Sequence, residues 1–479
     1  MQRCFEVTNS RRILASGALS RRVFLTAAGL VAIGPLARGI GNASTAARSG
    51  TAKSTIFIYL SGGPSHIDLW DMKPQAPREY RGSFEPTATA APDITLCEHL
   101  PFLAQQANHL ALVRSLGQQD PGQNDHGAGR YYVMTGHPPG PAFVGGREPS
   151  PDDWPFVGSV VASKRPSRSS LPSMIWLPTK SGPDNTNNPG AFAARLGVEH
   201  DPLFVLGSHK TPLEFRSPSL TLEGDVTAAR LRDRQAMLDS LDSARRQFDG
   251  AAAVRKYSQL QRKAFSLLES SESRGAFDVM SEPESQRRRY GETVNGMGML
   301  IARRLVEAGV PFITLHWLHD YEEDKRRGCL GGAWDTHWQN FSCLKDYLLP
   351  QFDRPFAALL ADLHERGLLD QTLIVVTAEM GRTPKVGDKR SGGTEAAEPG
   401  RDHWTHCQTA LLAGGGIRGG QVYGSSDKIG AYPANKPVGP EHIAHTIYHA
   451  MGIDDLTASD LQGRPFHVME EGEPLVDLF

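Results

Sequence analysis

Charge of one sign, paired cysteines and long apolar runs are all scarce in this sequence. Lys plus Arg number 51 against 53 Asp plus Glu, a formal net charge of −2, so no general field favours nucleic acid or an anionic membrane as partner. The five cysteines, Cys4, Cys97, Cys329, Cys343 and Cys407, contain no Cys-x-x-Cys pair. With Cys4 in a segment read below as removed, the remaining ones allow disulfides in an oxidising compartment, but spacing chooses no connectivity and no bridge is assigned. No phosphate-binding P-loop and no internal repeat is found. The run Gly414-Gly415-Gly416 with Gly419-Gly420 does not have the spacing of a dinucleotide loop and reads as turns. What is present is 39% hydrophobic and 22% charged residues with 49 Gly and 33 Pro, the composition of a soluble, turn-rich globular protein rather than a disordered or coiled-coil chain. A length of 479 residues suits two or three domains, or one large α/β domain.

The N-terminus carries an address. Ser20-Arg21-Arg22-Val23-Phe24-Leu25-Thr26 matches the twin-arginine export pattern. The mild apolar run over residues 25–36 is stopped by Pro35 and Arg38, short of the about 20 apolar residues that a membrane span needs. Small residues follow over 42–50, so residues 1–50 read as signal peptide and processing region, with cleavage between about 37 and 47. The expectation is an exported protein, periplasmic or extracellular, with no stable membrane span.

Residues 51–479 are expected to form the working domain. Residues 54–60 (STIFIYL) form a β-branched and aromatic run that ends at Ser61-Gly62-Gly63-Pro64, as a buried parallel strand opening into a loop would. From about 140 to 295 the chain is read as insertions: Pro- and Gly-rich surface excursions to 207, then charged helical sequence over 225–273. Beyond them helix and strand alternate. Residues 297–308, 352–366 and 441–451 read as helices, and 311–317, 372–377 and 409–413 as strands. That order predicts a mostly parallel sheet covered on both faces, with ligands beyond the carboxyl ends of its strands.

Metal-capable residues collect at those ends. His66 and Asp68, with Asp71, follow the first strand; Asp335 and His337 (WDTH) follow the 311–317 strand; Glu379 follows 372–377; Asp402 and His403 stand before 409–413. A lone Asp-x-His is more often a hydrogen-bonded loop pair than a ligand. Several such pieces at neighbouring strand ends reverse that preference, because converging unpaired carboxylates repel. Mixed carboxylate and imidazole suits zinc, manganese or iron, whereas calcium or magnesium favours oxygen alone.

These residues also carry a resemblance. Residues 356–381 (FAALLADLHERGLLDQTLIVVTAEMG) resemble the helix, turn and strand that lead to a metal pair in sulfatases and other alkaline-phosphatase-like enzymes. The wider set LSGGPSHIDLWDMKP, DHGAGRYYVMTG, WDTH, AEMGRTP, GRDHW and LLAGGGIRGGQVYG resembles the DUF1501 family, over roughly residues 54–470. The resemblance implies an alkaline-phosphatase-like α/β three-layer sandwich with a mostly parallel central sheet and a helical insertion. It further implies a divalent metal, zinc or manganese, on Asp335, His337, Glu379, Asp402 and His403, with Asp68 or His66 contributing from beside the first strand.

Three departures bear on mechanism. Ser61-Gly62 stands where sulfatases have an Asp, Met380 stands where they have a ligand His, and their nucleophile position aligns with His126, followed by Arg130 and Thr135-Gly136. Without a hydroxyl or oxidised cysteine there, three routes remain: metal-activated water attacks directly, His126 becomes a phosphoramidate, or His126 is a further ligand. Water attack or ligation is favoured over histidine as nucleophile. Arg130 suits the non-reacting oxygens of a tetrahedral anion, a helix salt bridge being the plainer reading; Arg382 has the same two readings, as a substrate-binding residue or a structural one. His442, His445 and His449 read as surface or packing residues; His316 and His319, at a strand end near WDTH, could back the metal ligands, and their role is left open. The expected function is hydrolysis of a phosphate or sulfate ester, of a small molecule or a polysaccharide. The alternatives are a metal- or ligand-binding protein on the same fold that has no turnover, and an all-oxygen calcium site serving stability.

Overall fold

The computed structural model describes residues 50–118, 124–141, 143–180, 187–217, 275–329, 331–388 and 398–479, all within the unit Ala47–Phe479. The twin-arginine segment and the helical insert over 225–273 lie outside the described residues. In chain order the central sheet takes β1 (Ser54–Tyr59), β2 (Leu110–Leu116), β3 (Met174–Leu177), β4 (Leu203–Phe204), β5 (Phe312–His316), β6 (Thr372–Thr377), β7 (Gln408–Ala413) and β8 (Gln421–Tyr423). Across the sheet the order is β8-β2-β7-β6-β1-β5-β3-β4.

β1 lies in the middle because its sequence has no polar face to offer water. All six of its residues are buried, and alternation sends Ile56 and Ile58 into one core and Phe57 and Tyr59 into the other, as a strand covered on both sides requires. It runs parallel to β6, with Ser54 opposite Thr372 and Tyr59 opposite Thr377, and parallel to β5 on its other edge.

Five helices matter here: α1 (His126–Thr135), α2 (Val157–Lys164), α3 (Val294–Glu307), α4 (Leu349–Glu365) and α5 (Pro440–Ala450). α3 and α4 cover the Ile56 face. Met297, Leu300, Ile301 and Leu305 meet Phe352, Phe356, Leu359 and Leu363 there, each set at helical spacing. α1, α2 and α5 cover the Phe57 face with Val133, Val160, Val161, Ile443 and Ile447. The expected α/β layering with a mostly parallel sheet is met, and the expected elements beyond the insertions fall within a few residues of the observed ones.

Four strands, β2, β3, β4 and β8, are not among those expected, and β7 runs against the rest. β2, LALVRSL, carries Arg114, whose Nε donates to the Trp70 carbonyl at 2.9 Å; that partly buried charge hid an otherwise apolar run. β7 is antiparallel to both β6 and β2. Its beginning therefore lies at the edge where β1, β5 and β6 end, so the sequence just before β7 joins the sequence just after the others.

At that edge β1 gives way to Gly62, whose φ of +111° is a glycine conformation. A Cβ there would stand 2.5 Å from the Asp335 backbone nitrogen. The close approach lets the loop after β5 lie directly over the end of β1. The same loop is tied by a disulfide between Cys329 and Cys343, while Cys97 and Cys407 are buried thiols.

Candidate metal centre and cleft

Each element delivers a side chain for a local reason. α1 begins at His126 because the Asp125 carboxylate caps it, accepting the Ala128 N–H at 3.0 Å. Glu379 leaves the end of β6, and its Oε1 accepts the Gly62 N–H at 2.7 Å. His403 lies on a two-residue ladder, Gly381–Arg382 against His403–Trp404, which carries the β6 exit alongside the approach to β7. Asp335 and His337 come from the loop after β5, whose Trp334 N–H donates to the Ser61 carbonyl at 3.2 Å.

The side chains converge on Asp335. His337 Nε2 is 2.9 Å and His403 Nε2 3.3 Å from its Oδ1, and His126 Nε2 is 3.4 Å from its Oδ2. His126 Nδ1 is 2.7 Å from Glu379 Oε1. Two groupings have donor atoms mutually within 4.8 Å: His126 with Asp335 and His403, and His337 with Asp402 and His403.

The ring nitrogens facing away from the centre have acceptors of their own. His403 Nδ1 is 3.0 Å from the Asn124 carbonyl, which can only accept, so Nδ1 carries the hydrogen. His337 Nδ1 faces Asp402 Oδ1 at 3.3 Å, and that carboxylate also accepts the His403 backbone N–H at 2.7 Å. His403 Nε2 then presents its lone pair inward, and His337 Nε2, 2.9 Å from Asp335 Oδ1, faces it at 3.1 Å. Two ring nitrogens and a carboxylate oxygen gathered this closely need a cation or a shared proton among them. A carboxylate or carbonyl behind each of these imidazoles is also the usual backing of a metal-binding histidine.

Charge at the centre follows from these contacts. Burial works against ionisation of Asp335, but the Arg382 guanidinium and then the three histidines hold its carboxyl well below the usual carboxylate range. Burial likewise opposes charge on His126, yet hydrogen bonds to Asp335 and Glu379 lift it to about 9. Glu379 is fully buried; against that cost the His126 contact brings it down to about 2. The buried Tyr59 hydroxyl beside it also favours its charged form.

Beside the cluster opens a cleft of about 370 Å³, lined among others by His126, Arg130, Lys180, His316, Asp335 and Glu379. Arg130 is 9% exposed and its Nε is buried without a partner. His316, at the end of β5, stays neutral: burial first, then the Arg130 charge, lowers it to about 3.

The structure does not bring every expected residue here. Asp68 is fully buried in a two-armed pair with Arg401, Nε to Oδ2 at 2.7 Å and Nη2 to Oδ1 at 2.8 Å, and also accepts from Ser65 and Asn340. Its oxygens are taken, and it lies outside both groupings of donor atoms. His66 is buried with Nε2 on the Gly430 carbonyl at 2.9 Å, also outside the groupings. Arg382 does not line the cleft. It is fully buried and gives its donors to the Gly62, Gly63 and Arg401 carbonyls and to Asp335, which makes it the support of Asp335 rather than a group open to substrate. Met380 is buried against Gly63. His442 and His445 bond locally to Glu441 and the Glu471 carbonyl, and His449 packs on Phe479. Lys180 and Arg401 had drawn no attention in the sequence; the signal for Lys180 was its place just beyond the strand MIWL, and for Arg401 its place beside Asp402.

The model of a family described as a protein of unknown function, DUF1501, matches residues 52–479. No curated protein matches the sequence. Among solved structures, PsFucS1 sulfatase from Pseudoalteromonas sp. is 16% identical, with a TM-score of 0.37 over 85% of this chain and 68% of its own. Phosphonate monoester hydrolase SpPMH from Silicibacter pomeroyi is 15% identical, with a TM-score of 0.37 over 85% of this chain and 76% of its own.

Proposed function

Because the chain belongs to the DUF1501 family, whose description assigns no activity, the function has to be argued from the site, and we propose an exported, metal-dependent hydrolase of a phosphate or sulfate ester on the alkaline-phosphatase-like fold. One observation carries this reading: the Nε2 atoms of His337 and His403 meet at 3.1 Å around an Asp335 oxygen, beside the buried, unpartnered Nε of Arg130. His126, Asp335 and His403 would hold a divalent ion, with His337 and Asp402 completing a second grouping around the shared His403 and Glu379 holding His126 from behind. Zinc or manganese suits this mixture of imidazole and carboxylate. When bound, such an ion supplies Lewis-acid polarisation and eases the deprotonation of water.

The chain's own residues account for the rest. The Arg130 guanidinium, short of partners in a half-enclosed cleft, holds the non-reacting oxygens of a tetrahedral anion. Lys180 adds positive charge to the same wall. His126 keeps its Nδ1 toward Glu379 and turns Nε2 to the centre, which supports ligation over a role as nucleophile and leaves water as the attacking group. Neutral His316 offers the cleft a hydrogen bond without adding charge. The buried Cys329–Cys343 bond fits an oxidising compartment and so supports export. No helix among the described residues is long and apolar enough to cross a membrane.

Elemental analysis of the purified mature protein, beside Asp335→Ala and His403→Ala, tests the site. Stoichiometric zinc or manganese lost in both variants is expected, together with turnover of 4-nitrophenyl phosphate or sulfate that falls with the metal. A metal-free wild type, or a metal-loaded one inert toward a broad panel of esters, refutes the hydrolase.

A further inference from the structure

The bond between Cys329 and Cys343, 14 residues apart, closes a ring that contains Asp335 and His337. Both half-cystines are buried, at 3% and 2% exposure, and each end of the bond leads to the site through backbone hydrogen bonds. The Cys329 carbonyl accepts the Gly332 N–H at 3.2 Å, and the Gly332 carbonyl accepts the Asp335 N–H at 3.0 Å; at the other end the Cys343 N–H donates to the Gln339 carbonyl at 2.8 Å.

The backbone inside the ring is not relaxed. Ala333 and Gln339, flanking Asp335 and His337, both have φ of +49°. For residues with a Cβ this left-handed conformation costs about 1–2 kcal/mol each, and it persists only where the surroundings over-determine it. Crowding adds to the constraint: a Cβ on Gly331 would run into the Asp335 carbonyl. Without a covalent closure, a ring under that strain has many looser conformations to escape into.

Resting on the metal-site reading above, we infer that the Cys329–Cys343 disulfide is a positioning element of the centre, holding Asp335 and His337 in the strained loop geometry that ligation needs. Opening the bond weakens the grip on a divalent cation while the sheet stays folded, because no strand of the sheet lies in the ring. Groups that orient ligands without touching the ion typically account for about 10–100-fold in affinity, and that is the size of loss expected.

The test titrates zinc and, separately, manganese into the mature chain by calorimetry, in three forms: oxidised wild type, wild type reduced with a water-soluble phosphine, and Cys329→Ser/Cys343→Ser. The phosphine and one water give the phosphine oxide and two thiols, so no thiol reagent competes for the ion. Far-UV circular dichroism follows the fold in each. The expected result is about 10–100-fold weaker binding in both opened forms with unchanged dichroism, and partial recovery when Ala333→Gly, which relaxes the backbone, is added to the serine pair. Affinities equal within about twofold, set against that expected loss, overturn the role of the disulfide and leave the metal site standing, as does a loss that merely tracks unfolding. An oxidised wild type that binds neither ion overturns the site reading and this inference with it.

Discussion

Two carboxylates at the same edge of the sheet, Asp68 and Asp335, have opposite surroundings. Asp68 meets one guanidinium in both its oxygens and accepts from Ser65 and Asn340 besides, with no exposure at all. Asp335 also has a buried arginine behind it, Arg382, but its remaining acceptor capacity is crowded by three imidazoles. The first set is closed: every charge has its counter-charge and every lone pair its hydrogen. The second is open, with two ring nitrogens facing one another across one carboxylate oxygen. A closed set holds loops together, whereas an open one is poised to receive something.

The largest effect expected from breaking this contrast is on the closed side. Asp68→Ala strands the fully buried Arg401, and removing one partner of a buried pair costs about 3–5 kcal/mol; urea unfolding of the metal-free protein reads it directly. Next, His403→Ala removes the residue shared by both donor groupings. Metal affinity is expected to fall by at least about 100-fold, while metal-free stability moves by about 1 kcal/mol, so calorimetry and unfolding give different answers for this one variant.

Arg130→Ala sharpens the comparison from the cleft side. Turnover efficiency on an anionic ester should drop about 10–100-fold, the size of a charge-assisted hydrogen bond of roughly 1.5–3 kcal/mol, with stability unchanged or slightly raised because a poorly partnered buried cation is gone. The smallest effect concerns Asp353, a buried carboxylate with no cation, only the Phe102 and Leu103 N–H groups at 3.0 and 2.7 Å. Burial pushes it up to about 6, with those two donors pulling the other way. A carboxyl raised in the folded state stabilises below its unfolded pKa and loses that contribution as pH rises through about 6. Asp353→Asn should therefore flatten a stability decline on the order of 1–2 kcal/mol between about pH 4 and 7, measured by unfolding across that range.

Much of this centre was legible in the sequence because its residues sit in short local clusters, WDTH, AEMG and GRDHW, beside strands that apolar patterning makes plain. What could not be read was which carboxylates were already taken. Asp68 looked as good a ligand as Asp335 until Arg401, 333 residues away, was found on it. Likewise Arg382 looked open to substrate, and only its burial beneath the Gly62 turn shows where its donors go. The reversed β7 was equally hidden, since nothing in TALLA tells its direction, yet that direction brings Asp402 and His403 to the edge from upstream. The disulfide, too, needed the fold, because spacing alone left the cysteines unpaired.

The donors of the centre are scattered from His126 through Asp335 and Glu379 to His403, and no contiguous stretch of chain supplies the set. They meet only when β1, β5, β6 and β7 already lie side by side. A chain caught halfway through folding, or clipped between its halves, has nothing with which to retain an ion here. On the proposed reading, the ratio of ion to polypeptide in a preparation therefore counts completed molecules.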